Sequence, residues 1–191
     1  MTLRLSAPTW LLLVLLASGC AEPPNKEMDQ AQGAIDAAQA AGADRYATSD
    51  YSAATEALRN ANTAVVASDH RLALSYALES REHAQNAARN AADAKARVRV
   101  EVDHASTELA ALLAEGRTLL DTATRGGASR ARLEQTASDL AAAEAHLQEA
   151  GEAVEMGDYL SASVAFEGAR AQIEDAITRM GDALPAPRSG R

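Results

Sequence analysis

The sequence predicts an all-α protein: elongated antiparallel helical hairpins or a bundle, built around one long, coiled-coil-like central helix. Three observations predict it. Alanine, the best helix former, supplies 47 of the 191 residues, and proline occurs only five times. From His70 to Thr122 there is no proline and a single glycine, Gly116, enough for a helix of about 80 Å at 1.5 Å per residue. Within that stretch Ala84, Ala88, Ala91, Val98, Val102, Ala105, Leu109, Leu112, Leu119 and Ala123 form an apolar seam that advances by threes and fours. This is the 3.5-residue period of a coiled coil or helical hairpin, interrupted at Arg81, Lys95 and Gly116. A buried methylene is worth about 0.8 kcal/mol, so alanine burial stabilises little per residue. Thin, closely packed helices follow, rather than a thick globular core.

Residues 1–19 read as a secretory signal segment. Arg4 supplies the positive start, and Trp10 to Ala17 form an apolar run shorter than the ~18 residues of a membrane-spanning helix. Small residues Ser18 and Gly19 precede Cys20, the only cysteine. Leu16-Ala17-Ser18-Gly19-Cys20 resembles the bacterial lipobox, with Ala17 where the pattern prefers leucine. The resemblance implies cleavage between Gly19 and Cys20 and a diacylglycerol on the Cys20 sulfur. Two or three acyl chains at a lipoprotein N-terminus make a firm anchor, since stable attachment takes two lipid signals. A lone exported cysteine has no disulfide partner, and lipidation accounts for it. In a Gram-negative cell, Ala21 in place of Asp after the cysteine implies the outer membrane, on its periplasmic face. In a Gram-positive cell the anchor is the cell membrane. Loss of Arg4 takes the formal charge from −9 to −10.

Residues 20–26 then form the anchor and a short tether containing Pro23-Pro24, and residues 27–183 the helical domain. A first helix begins near Asn25 and runs through Met28, Ala31, Ile35 and Ala38 to about Gly42. Thr48-Ser49-Asp50 offer N-caps for a second helix from Tyr51 to about Ala67, and Asp69 caps the third, long helix. Gly126-Gly127 is the strongest turn, after which Ser129 can cap a fourth helix. Gly157-Asp158 closes that helix and opens the last one, which fades near Gly181. Residues 184–191 read as a disordered tail.

Charge and repetition add to this plan. Arg89 to Arg99 hold four basic residues and one acid, whereas Leu133 to Ala169 hold eight acids and no Lys or Arg. A hairpin about Gly126 sets Arg99 near Ala153 and Lys95 near Gly157, so that basic meets acidic; exposed pairs of ~0.2–1 kcal/mol each would select register. Two solvated charged faces are the plainer reading. An offset of 89 aligns Ser49-Asp50 with Ser138-Asp139, Val65 with Val154, Asp69 with Asp158 and Arg81 with Arg170. Twelve of 39 positions are identical, six of them alanine, which suggests related helix–turn–helix units at about 49–91 and 138–180 or convergent alanine patterning.

Ala41-Gly42-Ala43-Asp44-Arg45-Tyr46-Ala47, followed by Tyr51-Ser52-Ala53-Ala54 and Leu58-Arg59-Asn60-Ala61, resembles a family of alanine-rich helical bacterial lipoproteins known as a domain of unknown function. The resemblance covers about Met28 to Ala96, with Thr48 where the family has proline. Gly157-Asp158-Tyr159, then Ala162, Phe166 and Ala169, is similar to a tetratricopeptide helix pair without its closing proline. That likeness singles out Tyr159 and Phe166 as partner-binding candidates, with core packing as the commoner role of such aromatics.

Catalytic readings find little support. Glu101-x-x-His104 has di-iron spacing but no second copy, so the four histidines imply no metal and no cofactor. No Gly-x-Ser-x-Gly elbow and no glycine-rich phosphate loop occur. Murein attachment through a C-terminal lysine is not expected to carry over, since Arg191 stands last and the only lysines are Lys26 and Lys95. The net negative charge opposes a nucleic-acid partner. The expected protein is therefore a non-enzymatic, outer-membrane-anchored structural or adaptor lipoprotein that meets the membrane through acyl chains and an envelope protein through its helices. A tetratricopeptide-like binding module and a self-assembling alanine coiled coil, hence a homo-oligomer, are the alternatives.

Overall fold

The computed structural model describes residues 22–181. Among them are six helices and no strand: α1 (Asn25–Ala40), α2 (Ala43–Tyr46), α3 (Thr48–Val66), α4 (His70–Arg125), α5 (Arg130–Glu155) and α6 (Tyr159–Gly181). The class and the long central helix are as the sequence predicts. The signal segment, the lipobox and the tail lie outside the described residues. The chain divides into two compact units between Ala92 and Asp93, each taking part of α4.

The first unit packs α1, α3 and the start of α4 through alanine. α1 buries Ala31, Ile35 and Ala38, and α3 buries Ala54, Ala57, Ala61 and Ala64. α4 meets them with Ala73, Ala77, Ser80, Ala84, Ala87 and Ala91. Small side chains along a contact let helices approach closely but remove little hydrocarbon from water. Polar ties supplement them. Ser80 Oγ donates to the Ala54 carbonyl at 2.8 Å, Asn90 Nδ2 to Asp50 Oδ2 at 2.6 Å, and Arg81 Nη1 to Gln30 Oε1 at 2.7 Å. At roughly 0.5–1.5 kcal/mol net, one such bond matches the burial of a methyl group.

One local expectation needs correction here. The stretch Thr48-Ser49-Asp50 does not cap α3; the helix already starts at Thr48, and Ala47 holds the N-cap position without a side-chain bond. Between α1 and α3 the chain makes one short helical turn, α2, after Gly42 at φ 83°, and α3 follows three residues earlier than expected. Asp50 is instead engaged by Asn90. Asp69, by contrast, caps α4 as expected, its Oδ1 accepting the Leu72 N–H at 3.0 Å.

The second unit has the thicker core. Val102, Leu109 and Leu113 of α4, Leu140 of α5, and Phe166, Ile173 and Met180 of α6 are buried with alanines between them. Gly116 is no interruption of the seam. It is buried within an unbroken α4, and a Cβ placed there would lie 2.9 Å from Leu140 Cδ2, so the bare backbone leaves room for the Leu140 side chain of α5. Ser129 occupies the N-cap position of α5 with extended backbone (ψ 137°) but makes no side-chain cap bond.

The same bonds recur 89 residues apart. In the α3–α4 turn Ser68 N–H donates to the Val65 carbonyl and Asp69 N–H to that of Ala64, both at 2.9 Å. In the α5–α6 turn Gly157 N–H donates to the Val154 carbonyl at 2.9 Å and Asp158 N–H to that of Ala153 at 2.8 Å. Both are Schellman closures around a left-handed residue, Ser68 at φ 59° and Gly157 at φ 73°. Asp158 Oδ1 then caps α6 through the Ser161 N–H, as Asp69 caps α4. Asp50 and Asn90 correspond to Asp139 and Arg179, which form an ion pair. Even α1 has its counterpart. At an offset of 78, Gln30, Ala31, Ile35 and Ala38 match Glu108, Leu109, Leu113 and Gly116, and all but the two leading polar residues are buried. The two units thus share their turn closures, their Asp caps and the positions of two interhelical ties, while α2 belongs to the first unit alone.

Candidate functional site

The predicted anchor residues Gly19 and Cys20 lie outside the described residues. The predicted aromatic pair lies in the second unit. Tyr159, the first residue of α6, is half-buried against the core, and the Lys95 ammonium sits 5.9 Å from its ring centroid. Such a cation–π contact is worth ~0.5–1 kcal/mol at an exposed site. The hairpin about Gly126 thereby brings Lys95 beside Tyr159, two residues from the expected Gly157. The basic stretch as a whole does not find its acids, however, because Arg97 and Arg99 are exposed and carry no ion pair among the described residues.

Phe166 lies two turns further along α6 and is only 5% exposed. Its ring forms the floor of a groove of about 370 Å³ between α4 and α5, whose walls include Val102, Ser106, Leu147 and Val154. Tyr159 does not line that groove. The two aromatics therefore share a helix and a core, but not one binding surface.

A second groove, of about 560 Å³, runs between α5 and α6 and escaped sequence reading. His146 and Glu149 of α5 face Leu160, Val164, Ala165 and Gly168 of α6 across it. The signal was present in the spacing: Leu160, Val164 and Gly168 recur every four residues beside the core stripe Ala162, Phe166, Ala169 and Ile173. α6 carries two apolar stripes, and only one is needed for the core.

The strongest electrostatic feature is equally unannounced by any motif. Arg170 Nη1 and Nη2 donate to Glu108 Oε1 and Oε2 at 2.9 and 2.8 Å, a bidentate tie from α6 to α4. These hydrogen bonds first, and the guanidinium charge second, hold the Glu108 carboxyl below its ordinary value. The same bonds raise Arg170. Its identity with Arg81 across the repeat was the available clue, since Arg81 ties α4 to Gln30 of α1 in the same way. Arg117–Glu144 and Arg179–Asp139 are further interhelical ion pairs.

Glu101 and His104, the di-iron spacing, are both exposed on α4. Among the described residues, no three His, Asp or Glu side chains are grouped to hold a metal ion, and no helix is long and apolar enough to cross a membrane. Comparison with known proteins finds no match among curated proteins or solved structures. It does find a family for the first unit and the start of the second, the region in which the Ala41–Ala47 motif lies. Residues 26–102 match the model of a family described as a domain of unknown function (DUF4398).

Proposed function

We propose that this protein is a non-catalytic lipoprotein of the cell envelope, anchored by acyl chains on Cys20 to the periplasmic face of the outer membrane and acting as a structural or adaptor component. The observation that carries this reading is the sequence Leu16-Ala17-Ser18-Gly19-Cys20 at the end of an apolar run. The helical organisation is consistent with it. α1 starts at Asn25, five residues after the anchor, and its N-cap residue Pro24 is already buried. Five residues reach at most about 18 Å, so the first unit is held close to the membrane surface. The ion pairs Arg170 with Glu108, Arg117 with Glu144 and Arg179 with Asp139 link helices to one another.

The test is fractionation of cells expressing the full chain and its Cys20→Ala variant. The parent chain should sediment with outer membranes and incorporate labelled fatty acid, and the variant should do neither. Membrane association that survives Cys20→Ala overturns the anchor.

A further inference from the structure

The groove between α5 and α6 is where the two units part company. Counting back 89 residues, the counterparts of Leu160, Val164, Ala165 and Gly168 are Arg71, Ser75, Tyr76 and Glu79. In the first unit these positions do not share one trough: Tyr76 lines a cleft of about 330 Å³ between α3 and α4, whereas Ser75 and Glu79 line a separate depression of about 520 Å³ on α4. In the second unit two polar residues have become aliphatic and two large ones small. The result is an open trough with Val164 at its rim, 70% exposed. Its charge is one-sided. Glu149 lines it, with His146 as its one ionic neighbour at 3.6 Å, and Glu152 and Glu167 on the same two helices have no ion pair among the described residues.

The complement of this surface is on the chain itself. Arg97 and Arg99 of α4 are exposed without an ion pair, and beside them Val100 is 55% exposed. Arg97 and Val100 are spaced i, i+3 and so lie on one helical face, a cation beside an aliphatic side chain. We propose that a second copy of the chain docks this turn of α4 into the α5–α6 groove, setting Val100 against Val164 and Gly168 and Arg97 toward Glu149. Two different patches meet, so the contact is isologous where the two copies reciprocate it about a two-fold axis and heterologous where it runs head to tail. It depends on salt, since exposed opposite charges are screened within about 8 Å at physiological ionic strength. It does not depend on whether Cys20 is acylated.

The test uses two versions of the full chain, one carrying Val100→Cys and the other Val164→Cys, mixed and oxidised at low ionic strength. Linked species are separated without reductant and mapped by peptide mass, which sets aside any disulfide through Cys20. Both substituted residues are exposed, so the helices are retained. The expected product joins position 100 of one copy to position 164 of the other, in excess of both like-with-like products. Adding Glu149→Lys to the Val164→Cys chain should lower that product roughly fivefold, the scale of one exposed ion pair, and Arg97→Glu on the partner chain should restore it. Products in random proportion, or a yield indifferent to the Glu149→Lys and Arg97→Glu exchange, overturn the proposal.

Discussion

Phe166 separates a core role from a binding role by a wide margin of energy. Its side chain is 5% exposed and packs within a cluster that includes Ile173, Ala169, Leu109 and Leu140. Phe166→Ala removes that hydrocarbon and leaves a void, because Ile173 and Met180 remain and continue to space α6 from its neighbours. Truncation of a buried Phe costs about 3–5 kcal/mol, combining lost transfer energy with an unfilled cavity. For a unit of this size each kcal/mol is worth roughly 4–8 °C in Tm, so the second unit should melt at least 10 °C lower. Thermal unfolding of the full chain followed by circular dichroism measures the total. Hydrogen exchange read by mass spectrometry then places it: amides in α5 and α6 should lose protection while those of α1 and α3 keep theirs. Replacing a surface residue that serves only a partner changes stability by no more than about 0.5 kcal/mol. A shift of under 3 °C would therefore refute the packing argument and return Phe166 to the role of a binding residue.

Two further outcomes follow from the turns and the ion pairs. Ser68 holds a left-handed backbone at φ 59° where the repeat has Gly157 at φ 73°, and left-handed backbone costs an L-residue about 1–2 kcal/mol. Urea unfolding should show Ser68→Gly raising stability by a few tenths to 1 kcal/mol, the gain reduced by the freedom glycine brings to the unfolded chain, and Gly157→Ala lowering it by about 1 kcal/mol. Nothing lies within 4 Å of a Cβ at Gly157, so a larger loss would mean that packing and not backbone conformation is at stake. Glu108 titrates lower in the folded chain than in the unfolded one, where its value is about 4.3. Its contribution is fully present above that value and is lost as pH falls through the folded one. The stability difference between the parent chain and Glu108→Gln should hold from pH 7 to about 5 and shrink below pH 4.3, and a difference that stays constant to pH 3 would contradict the assignment.

The helices were legible where a residue's job is local. Asp69, Gly126-Gly127 and Gly157-Asp158 mark their turns because capping and left-handed closure involve partners within five residues. Alanine spacing likewise named Ala84, Ala91, Val102, Leu109 and Ala123 as buried, since helical period alone decides which face a residue occupies. What failed involved partners far along the chain. Asp50 looked like a cap until Asn90, forty residues away, claimed its carboxylate. Gly116 looked like a break in the seam because its value lies in Leu140, which approaches from another helix. The tie between Glu108 and Arg170 spans 62 residues, and nothing in the local pattern of either announces it. The α5–α6 groove was hidden differently. Its residues are ordinary, and only comparison with Arg71, Ser75, Tyr76 and Glu79 shows that anything has been removed.

That comparison also separates two kinds of divergence between the units. Where the first unit buries Ala77, Ala84 and Ala91, the second buries Phe166, Ile173 and Met180. Each of these exchanges adds hydrocarbon to the interior, and fully burying such a side chain contributes about 1.5–3 kcal/mol, so folding alone explains them. The outer face of α6 changes in the opposite sense. Leu160 and Val164 stand where Arg71 and Ser75 would be solvated, yet Val164 remains 70% exposed and adds almost nothing to the core. Gly168 stands where the first unit has Glu79 and gives up helix propensity, since glycine in a helix interior costs roughly 1 kcal/mol relative to alanine. Ala165 is buried in the core and Leu160 half-buried, so the exchanges that bring the isolated unit no burial are those at Val164 and Gly168. Stability cannot be the reason for a surface that is emptied and made apolar at once, whereas occupation by another helix can, because the burial missing from the single chain is recovered when the groove is filled. The acidic lip at Glu149 then selects a cationic helix over a neutral one, and α4 presents such a helix at Arg97 and Val100.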